Sequence, residues 1–227
     1  MEYKIKDNKY NTVKDVLKNE FKFSKRLILK LKQENRIYVN GITQFVNFNI
    51  KINDIIKVDL NFEETCDNII PLKMNLSIVY EDEYLIILNK PAKIETHPTA
   101  LNNTNTLSNG LKYYFDSINL KRKIRPVNRL DKDTSGIIIF AKNQYIQEEL
   151  IKQMRQGSFV KEYIAIVTGT LKNGKGEIVA NIARKKDSIL ERCVDNENGM
   201  FAKTYYEVIG RCKNQNDTVI KLKLETR

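Results

Sequence analysis

A charged run, Arg129-Leu130-Asp131-Lys132-Asp133-Thr134-Ser135-Gly136, opens directly into the apolar stretch Ile137-Ile138-Ile139-Phe140-Ala141. This junction constrains the fold more than any other part of the chain. The apolar stretch reads as a buried strand. The run before it must be a turn at the surface, because it carries two carboxylates and two cations within five residues. A lone acid beside a buried strand is costly unless something pairs with it or uses it. One reading is a surface turn in which Asp131 and Asp133 cap backbone amides and Gly136 supplies a positive φ. The other is a carboxylate held in place for chemistry.

The segments around this junction are short and of mixed type. Thr12 is placed to cap a helix carrying Val13, Val16, Leu17 and Phe21, with Asp15 completing a capping box. Ser24 caps a second helix, from Lys25 to about Glu34. Ile37-Tyr38-Val39-Asn40-Gly41-Ile42 reads as strand, Asn-Gly turn, strand, and a last strand is expected over 52–60, past an Asn53-Asp54 turn. These elements define a small αα-ββ domain over residues 1–61. Residues 62–76 are acidic and interrupted by Pro71, which reads as a linker. A second domain is expected over 77–227. It opens with strands at 77–80 and 84–89, has a helix from Gln144 to Gln156, and ends in strands near 160–167, 202–208 and 218–224. Gly174-Lys175-Gly176 reads as a turn; no Lys-Ser/Thr pair follows to make a phosphate loop. Strands outnumber helices and do not alternate with them. The fold class is therefore α+β, a small helix-and-strand domain followed by a mainly antiparallel mixed sheet.

Charge narrows the partner. The chain of 227 residues has a net charge of +11, a field that concentrates polyanions. No basic amphipathic helix with a bulky apolar face and no lipidation motif points to a membrane, so nucleic acid is the expected partner. Lys25, Arg26, Lys30, Lys32 and Arg36 cluster on or just past the second helix, opposed there only by Glu34. They are candidate phosphate contacts; the plainer alternative is a solvated helix face. Cys66, Cys193 and Cys212 are scattered and there is a single histidine, so neither a metal site nor a disulfide framework is expected. A reducing cytoplasm fits this usage, and a monomer without cofactor is expected. His97, ahead of Pro98, reads as a loop-packing or hydrogen-bonding residue rather than a base.

The residues of the junction go further. Arg-Leu-Asp-Lys-Asp-Thr-Ser-Gly with its apolar strand and Ala141-Lys142-Asn143 resembles the catalytic signature of the RluA/RluD-type pseudouridine synthases. Asn89-Lys90-Pro91-Ala92 followed by His97-Pro98 resembles an earlier segment of that family. Lys161-x-Tyr163-x-Ala165 with Val167-x-Gly169 resembles its second motif. Two short helices followed by Val39-Asn40-Gly41 resemble the RNA-binding domain named after ribosomal protein S-four. The resemblance implies isomerisation of uridine in structured RNA, large-subunit ribosomal RNA above all. It assigns Asp131 as nucleophile, Arg129 to the space left by the flipped uridine, and Tyr163 to stacking on that base. Read without the family, Tyr163 would be an ordinary tyrosine of a core strand.

Two departures matter. Asn128 stands where a histidine commonly precedes Arg-Leu-Asp. The family's third motif runs Glu-Thr-Gly-Arg and then Thr-His-Gln-Ile-Arg, whereas this chain ends Leu224-Glu225-Thr226-Arg227. The arginine expected to pair with Asp131 has no counterpart unless Arg227 takes its place. The catalytic domain is therefore expected to be C-terminally incomplete, and the chain poorly stable with little activity. That expectation keeps a second function in view, an RNA-binding protein that retains the scaffold without the catalysis.

Overall fold

The Thr12 hydroxyl and the Asp15 carboxylate form the reciprocal capping box that their spacing dictates, with Asp15 Oδ2 2.9 Å from the Thr12 amide. The structure is a computed structural model that describes residues 1–99, 102–188, 191–212 and 216–225. The chain divides into two units, Met1–Ile151 and Lys152–Arg227.

The first unit begins with β1 (Glu2–Lys4), α1 (Val13–Asn19), α2 (Lys25–Gln33), β2 (Ile37–Val39), β3 (Ile42–Thr43) and β4 (Ile55–Val58). The strands form an antiparallel sheet in the order β1-β4-β2-β3. Val13, Val16 and Leu17 of α1, Leu27 and Leu31 of α2, and Ile56 of β4 are fully buried together, as expected of amphipathic elements closing over one core. Ser24 caps α2, its hydroxyl accepting from the Leu27 amide. Asn40 and Gly41 both have positive φ, 50° and 82°, the backbone a tight two-residue hairpin requires. Two features differ from the sequence reading. β1 joins the sheet as a three-residue edge strand, too short for alternation to reveal. The strand expected over 52–60 is confined to 55–58, because Asn53 takes a φ of 76° and ends the turn there.

Residues 62–76 hold no helix or strand, yet they are packed. Phe62, Cys66 and Ile69 are buried, and so is the Glu64 side chain, 2.7 Å from both Lys30 Nζ and Arg125 Nη2. Beyond them, β5 (Ile78–Glu81), β6 (Leu85–Lys90) and β7 (Gly136–Ala141) form a second antiparallel sheet with β6 in the middle. α3 (Leu107–Ser117) has Thr106 as its cap. Its internal glycine has a packing reason: a Cβ on Gly110 would lie 2.9 Å from Met74 Sδ. α4 (Gln144–Arg155) starts from Asn143, whose side-chain oxygen accepts from the Ile146 amide.

The second unit is built on β8 (Lys161–Thr168), β9 (Lys175–Arg184), β10 (Arg192–Val194), β11 (Met200–Arg211) and β12 (Asp217–Leu224), in the order β10-β9-β11-β12-β8. Every strand pair among the described residues is antiparallel, so the expected mixed sheet is corrected to antiparallel sheets. The turn expected at Gly174-Lys175-Gly176 is corrected too. β9 already starts at Lys175, and Gly176 pairs with Tyr206, whose ring occupies the space a Cβ would need. Glycine within a strand marks such a close approach as readily as it marks a turn. No helix among the described residues is long and apolar enough to cross a membrane.

Candidate active site

β6 and β7 pair from Leu85↔Ala141 to Lys90↔Gly136, so the charged run leaves the sheet beside the end of β6. The chain ahead of the run also lies along β7. The Val127 amide donates to the Ile139 carbonyl at 2.8 Å. The Asn128 side chain then closes the loop: its Nδ2 donates to the Ile137 carbonyl at 3.0 Å, and its Oδ1 accepts from the Ile139 amide at 2.9 Å. Residues 129–136 are thus a loop pinned at both ends to one strand.

Leu130 anchors the middle. It is buried, while Arg129 and Asp131 on either side are exposed. Gly136 has a φ of 132°, as the turn reading expected, and its bare Cα faces the Leu130 side chain. The buried Thr96 hydroxyl donates to the Leu130 carbonyl at 3.1 Å and lies 3.5 Å from the Leu130 amide nitrogen. Lys90, fully buried at the end of β6, donates from its Nζ to the Lys132 carbonyl at 3.0 Å. Within the loop, the Thr134 amide donates to the Asp131 carbonyl. Five tethers therefore hold eight residues of backbone, counting the two from Asn128.

The carboxylates themselves are not used for this. Among the described residues, neither Asp131 nor Asp133 accepts a hydrogen bond or makes an ion pair through its side chain. The amide-capping reading of these two acids is corrected: backbone, hydroxyl, amide and ammonium groups do that work and leave the Asp131 carboxylate at the surface. Burial lowers the pKa of Lys90, and the charges of Asp133 and Asp131 oppose that drop. His97 stands near the same loop, with Nδ1 3.3 Å from Ser108 Oγ, the hydrogen-bonding role expected of it. Burial of part of its ring, and then the charge of Arg129, hold it below the usual histidine pKa.

Arg129 and Asp131 share one loop of the first unit. Tyr163 lies on β8 in the second unit, half-buried and opposite Leu222 of β12. The end of the chain reaches Glu225, whose amide donates to the Lys203 carbonyl; Thr226 and Arg227 lie outside the described residues. The basic cluster on α2 divides. Lys25, Arg26 and Lys32 are exposed. Lys30 is paired with Glu64 and sits over the Phe62 ring, while Arg36 pairs with Glu34 and Asp59 and faces the same ring.

Lys90, Thr96 and the double bond of Asn128 were not assigned from sequence. A signal for Lys90 exists: alternation along β6 puts it on the inward face with Ile86 and Leu88, where a lysine needs partners. Thr96 gives no such signal, because its partner lies 34 residues away.

A surface carboxylate and an arginine thus stand on one tethered loop beside an antiparallel sheet, and the fold that carries them has counterparts among solved structures. The chain superposes on human RNA pseudouridylate synthase domain containing 1 with a TM-score of 0.54, at 22% identity, covering 67% of this chain and 60% of that one. The corresponding human domain containing 4 gives the same TM-score at 19% identity. These establish the shared fold. A profile of the RNA pseudouridylate synthase family matches residues 84–227, and the chain belongs to that family. Among relatives it is 34% identical to the uncharacterized RNA pseudouridine synthase YhcT of Bacillus subtilis, over 93% of this chain and 69% of the relative. It is 32% identical to ribosomal large subunit pseudouridine synthase D of Haemophilus ducreyi, over 86% of this chain and 58% of the relative. The chain thus spans about three fifths to two thirds of the length of these relatives and solved structures.

Proposed function

We propose that this protein converts specific uridines to pseudouridine in structured RNA, with large-subunit ribosomal RNA as its substrate. Asp131 is the nucleophile, Arg129 fills the space vacated by the flipped uridine, and Tyr163 stacks on the extruded base. The observation that carries this reading is the exposed Asp131 carboxylate, engaged by no other described residue, on a loop held by five tethers. An attacking group must be positioned closely, and its oxygens must not already be used as caps.

In the reaction the bond from N1 to the ribose breaks, the base turns, and carbon 5 bonds to the ribose. The hydrogen on carbon 5 leaves as a proton and N1 gains one, so no redox partner is required. Reaching a stacked uridine costs a few kcal/mol of unstacking. An arginine adjacent in sequence to the buried Leu130 is well anchored to occupy the gap. Residues 1–61 act as an S-four-like RNA-binding module joined through 62–76 to the catalytic domain. Lys25, Arg26 and Lys32 carry its phosphate contacts. Lys30 and Arg36, engaged by Glu64, Glu34 and Asp59, contribute mainly by shaping the surface. The protein works as a monomer in the cytoplasm, where its three cysteines stay free.

A second reading, a catalytically impaired RNA-binding protein on the same scaffold, keeps the same α2 surface and leaves the Asp131 carboxylate idle. To test the proposal, transcripts of large- and small-subunit ribosomal RNA are incubated with the protein and pseudouridines are mapped at nucleotide resolution. Conversion at one or a few discrete uridines of the large-subunit RNA is expected. Bound RNA with no conversion would favour the second reading, and conversion confined to small-subunit RNA would overturn the substrate.

A further inference from the structure

Lys90 is fully buried, and among the described residues it stands with Phe115 and Phe140 as one of the largest side chains closed off from solvent. Its ammonium has three hydrogens to place, and three backbone carbonyls receive them: Pro91 at 2.9 Å, Ile94 at 2.7 Å and Lys132 at 3.0 Å. No carboxylate lies within ion-pair distance of it among the described residues. A buried cation satisfied only by carbonyls is an unusual choice, because desolvating an ammonium costs several kcal/mol. A methionine would fill the same volume without that cost. Something other than core packing must account for the charge.

The three acceptors suggest what it is. Pro91 and Ile94 belong to the loop that follows β6. The third acceptor, Lys132, stands between Asp131 and Asp133 and is 42 residues away in sequence. The ammonium therefore joins the end of β6 to the middle of the charged loop. It does so within the part of the loop, 131–136, that the Asn128 and Thr96 tethers do not reach. Asp131 and Asp133 flank that carbonyl, and their charges favour the cationic form of Lys90 against its burial.

We propose that Lys90 is a positioning residue for the reaction: through the Lys132 carbonyl, its buried ammonium fixes the backbone that carries Asp131. The lysine does not touch the RNA. It sets where the attacking carboxylate stands and places a positive charge behind it. This inference rests on the assignment of Asp131 as nucleophile, and its test is arranged to fail separately.

The first measurement is amide hydrogen exchange on the 227-residue chain, which needs no activity. Replacing Lys90 with Met (Lys90→Met) should speed exchange of the loop amides, Thr134 above all, by about tenfold or more. The β6–β7 ladder should keep its protection. Unchanged loop exchange, or faster exchange spread evenly over the ladder, would overturn the positioning role. The second measurement is the single-turnover rate of pseudouridine formation. Lys90→Met should lower it by about tenfold or more with RNA affinity unchanged within about twofold, and Lys90→Arg, which keeps the charge, should recover part of it. Loss of RNA affinity in parallel with rate would also overturn the proposal. A wild-type protein that forms no pseudouridine, with the exchange effect intact, would contradict the catalytic reading and leave the tether established. Should Lys90→Met not fold, nitrogen-15 NMR of the wild-type chain decides. A Lys90 ammonium whose protons exchange as fast as those of exposed Lys25 would sink the idea; slowly exchanging protons coupled to the Lys132 carbonyl would support it.

Discussion

The loop at 129–136 and helix α2 both present charge at the surface, but they are built to different tolerances. Around the loop, side chains fasten the backbone on each side of Asp131: Asn128 to β7, Thr96 to Leu130, Lys90 to Lys132. On α2 the exposed cations Lys25, Arg26 and Lys32 have only the helix beneath them. Chemistry at one atom demands placement to a fraction of an ångström. Attraction to a phosphate backbone demands charge of the right sign within reach. Under the proposed function, the loop would determine rate and the helix affinity. Within the basic cluster on and just past α2 the same division recurs, because Lys30 and Arg36 are tied down by Glu64, Asp59 and the Phe62 ring while Lys25, Arg26 and Lys32 are exposed.

The sharpest way to break this comparison is at the two loop carboxylates. Asp131→Asn should reduce pseudouridine formation by at least about a thousandfold, roughly 4 kcal/mol of barrier, with RNA affinity nearly intact. Asp133→Asn should cost far less. Equal losses at the two positions would remove the distinction between an attacking acid and its neighbour.

Glu64 tests the fixed half of the basic cluster. Burial alone would raise its pKa, but the bonds from Arg125 and Lys30 outweigh that and hold it below the ordinary 4.5. A carboxyl depressed in the folded state contributes stability that is fully present above its unfolded pKa and is lost as pH falls through the folded value. Glu64→Ala should destabilise the chain by about 3 kcal/mol at neutral pH, because it strands Arg125 with its charge buried. The gap between wild type and variant should narrow below about pH 4.5. Urea melts at pH 7 and pH 3.5 would show it; a pH-independent difference would mean that packing, not charge, makes the contribution.

Asn128→Ala should slow the reaction by about tenfold, near 1.4 kcal/mol, because both bonds that close the loop are lost while Asp131 remains. An unchanged rate would show that the remaining tethers suffice. The smallest effect per residue is expected on α2. Lys25, Arg26 and Lys32 changed together to alanine should lower the salt slope of RNA binding by about 2 to 3, close to one per residue, without altering the rate at saturating RNA. A rate effect at saturation would mean that the helix, like the loop, positions rather than attracts.

Much of this was legible in the chain because the signals were local. Thr12 and Asp15 sit three residues apart, Asn40-Gly41 specifies its own turn, and the charged run abuts the strand it feeds. The limits of the reading were physical as well. The loop's tethers come from Lys90 and Thr96, whose partners lie 42 and 34 residues away, and no window on the sequence brings them together. Gly176 reads as a turn residue because a glycine that admits the Tyr206 ring looks the same in sequence as one that admits a positive φ. Glu64 stands in a stretch whose acidity suggested a loose connector, yet its partners are two cations that the fold carries to it.

The central claim is that the Asp131 loop turns over RNA rather than only holding it. The direct measurement counts pseudouridines formed per protein molecule with large-subunit ribosomal RNA in about tenfold excess, a single-site turnover test. It is run on the 227-residue chain and on the same chain continued with the C-terminal portion of YhcT. More than one pseudouridine per molecule in the continued chain, abolished by Asp131→Asn while RNA stays bound, is the expected result. RNA bound with equal affinity by both chains, and no pseudouridine formed by either, would contradict it.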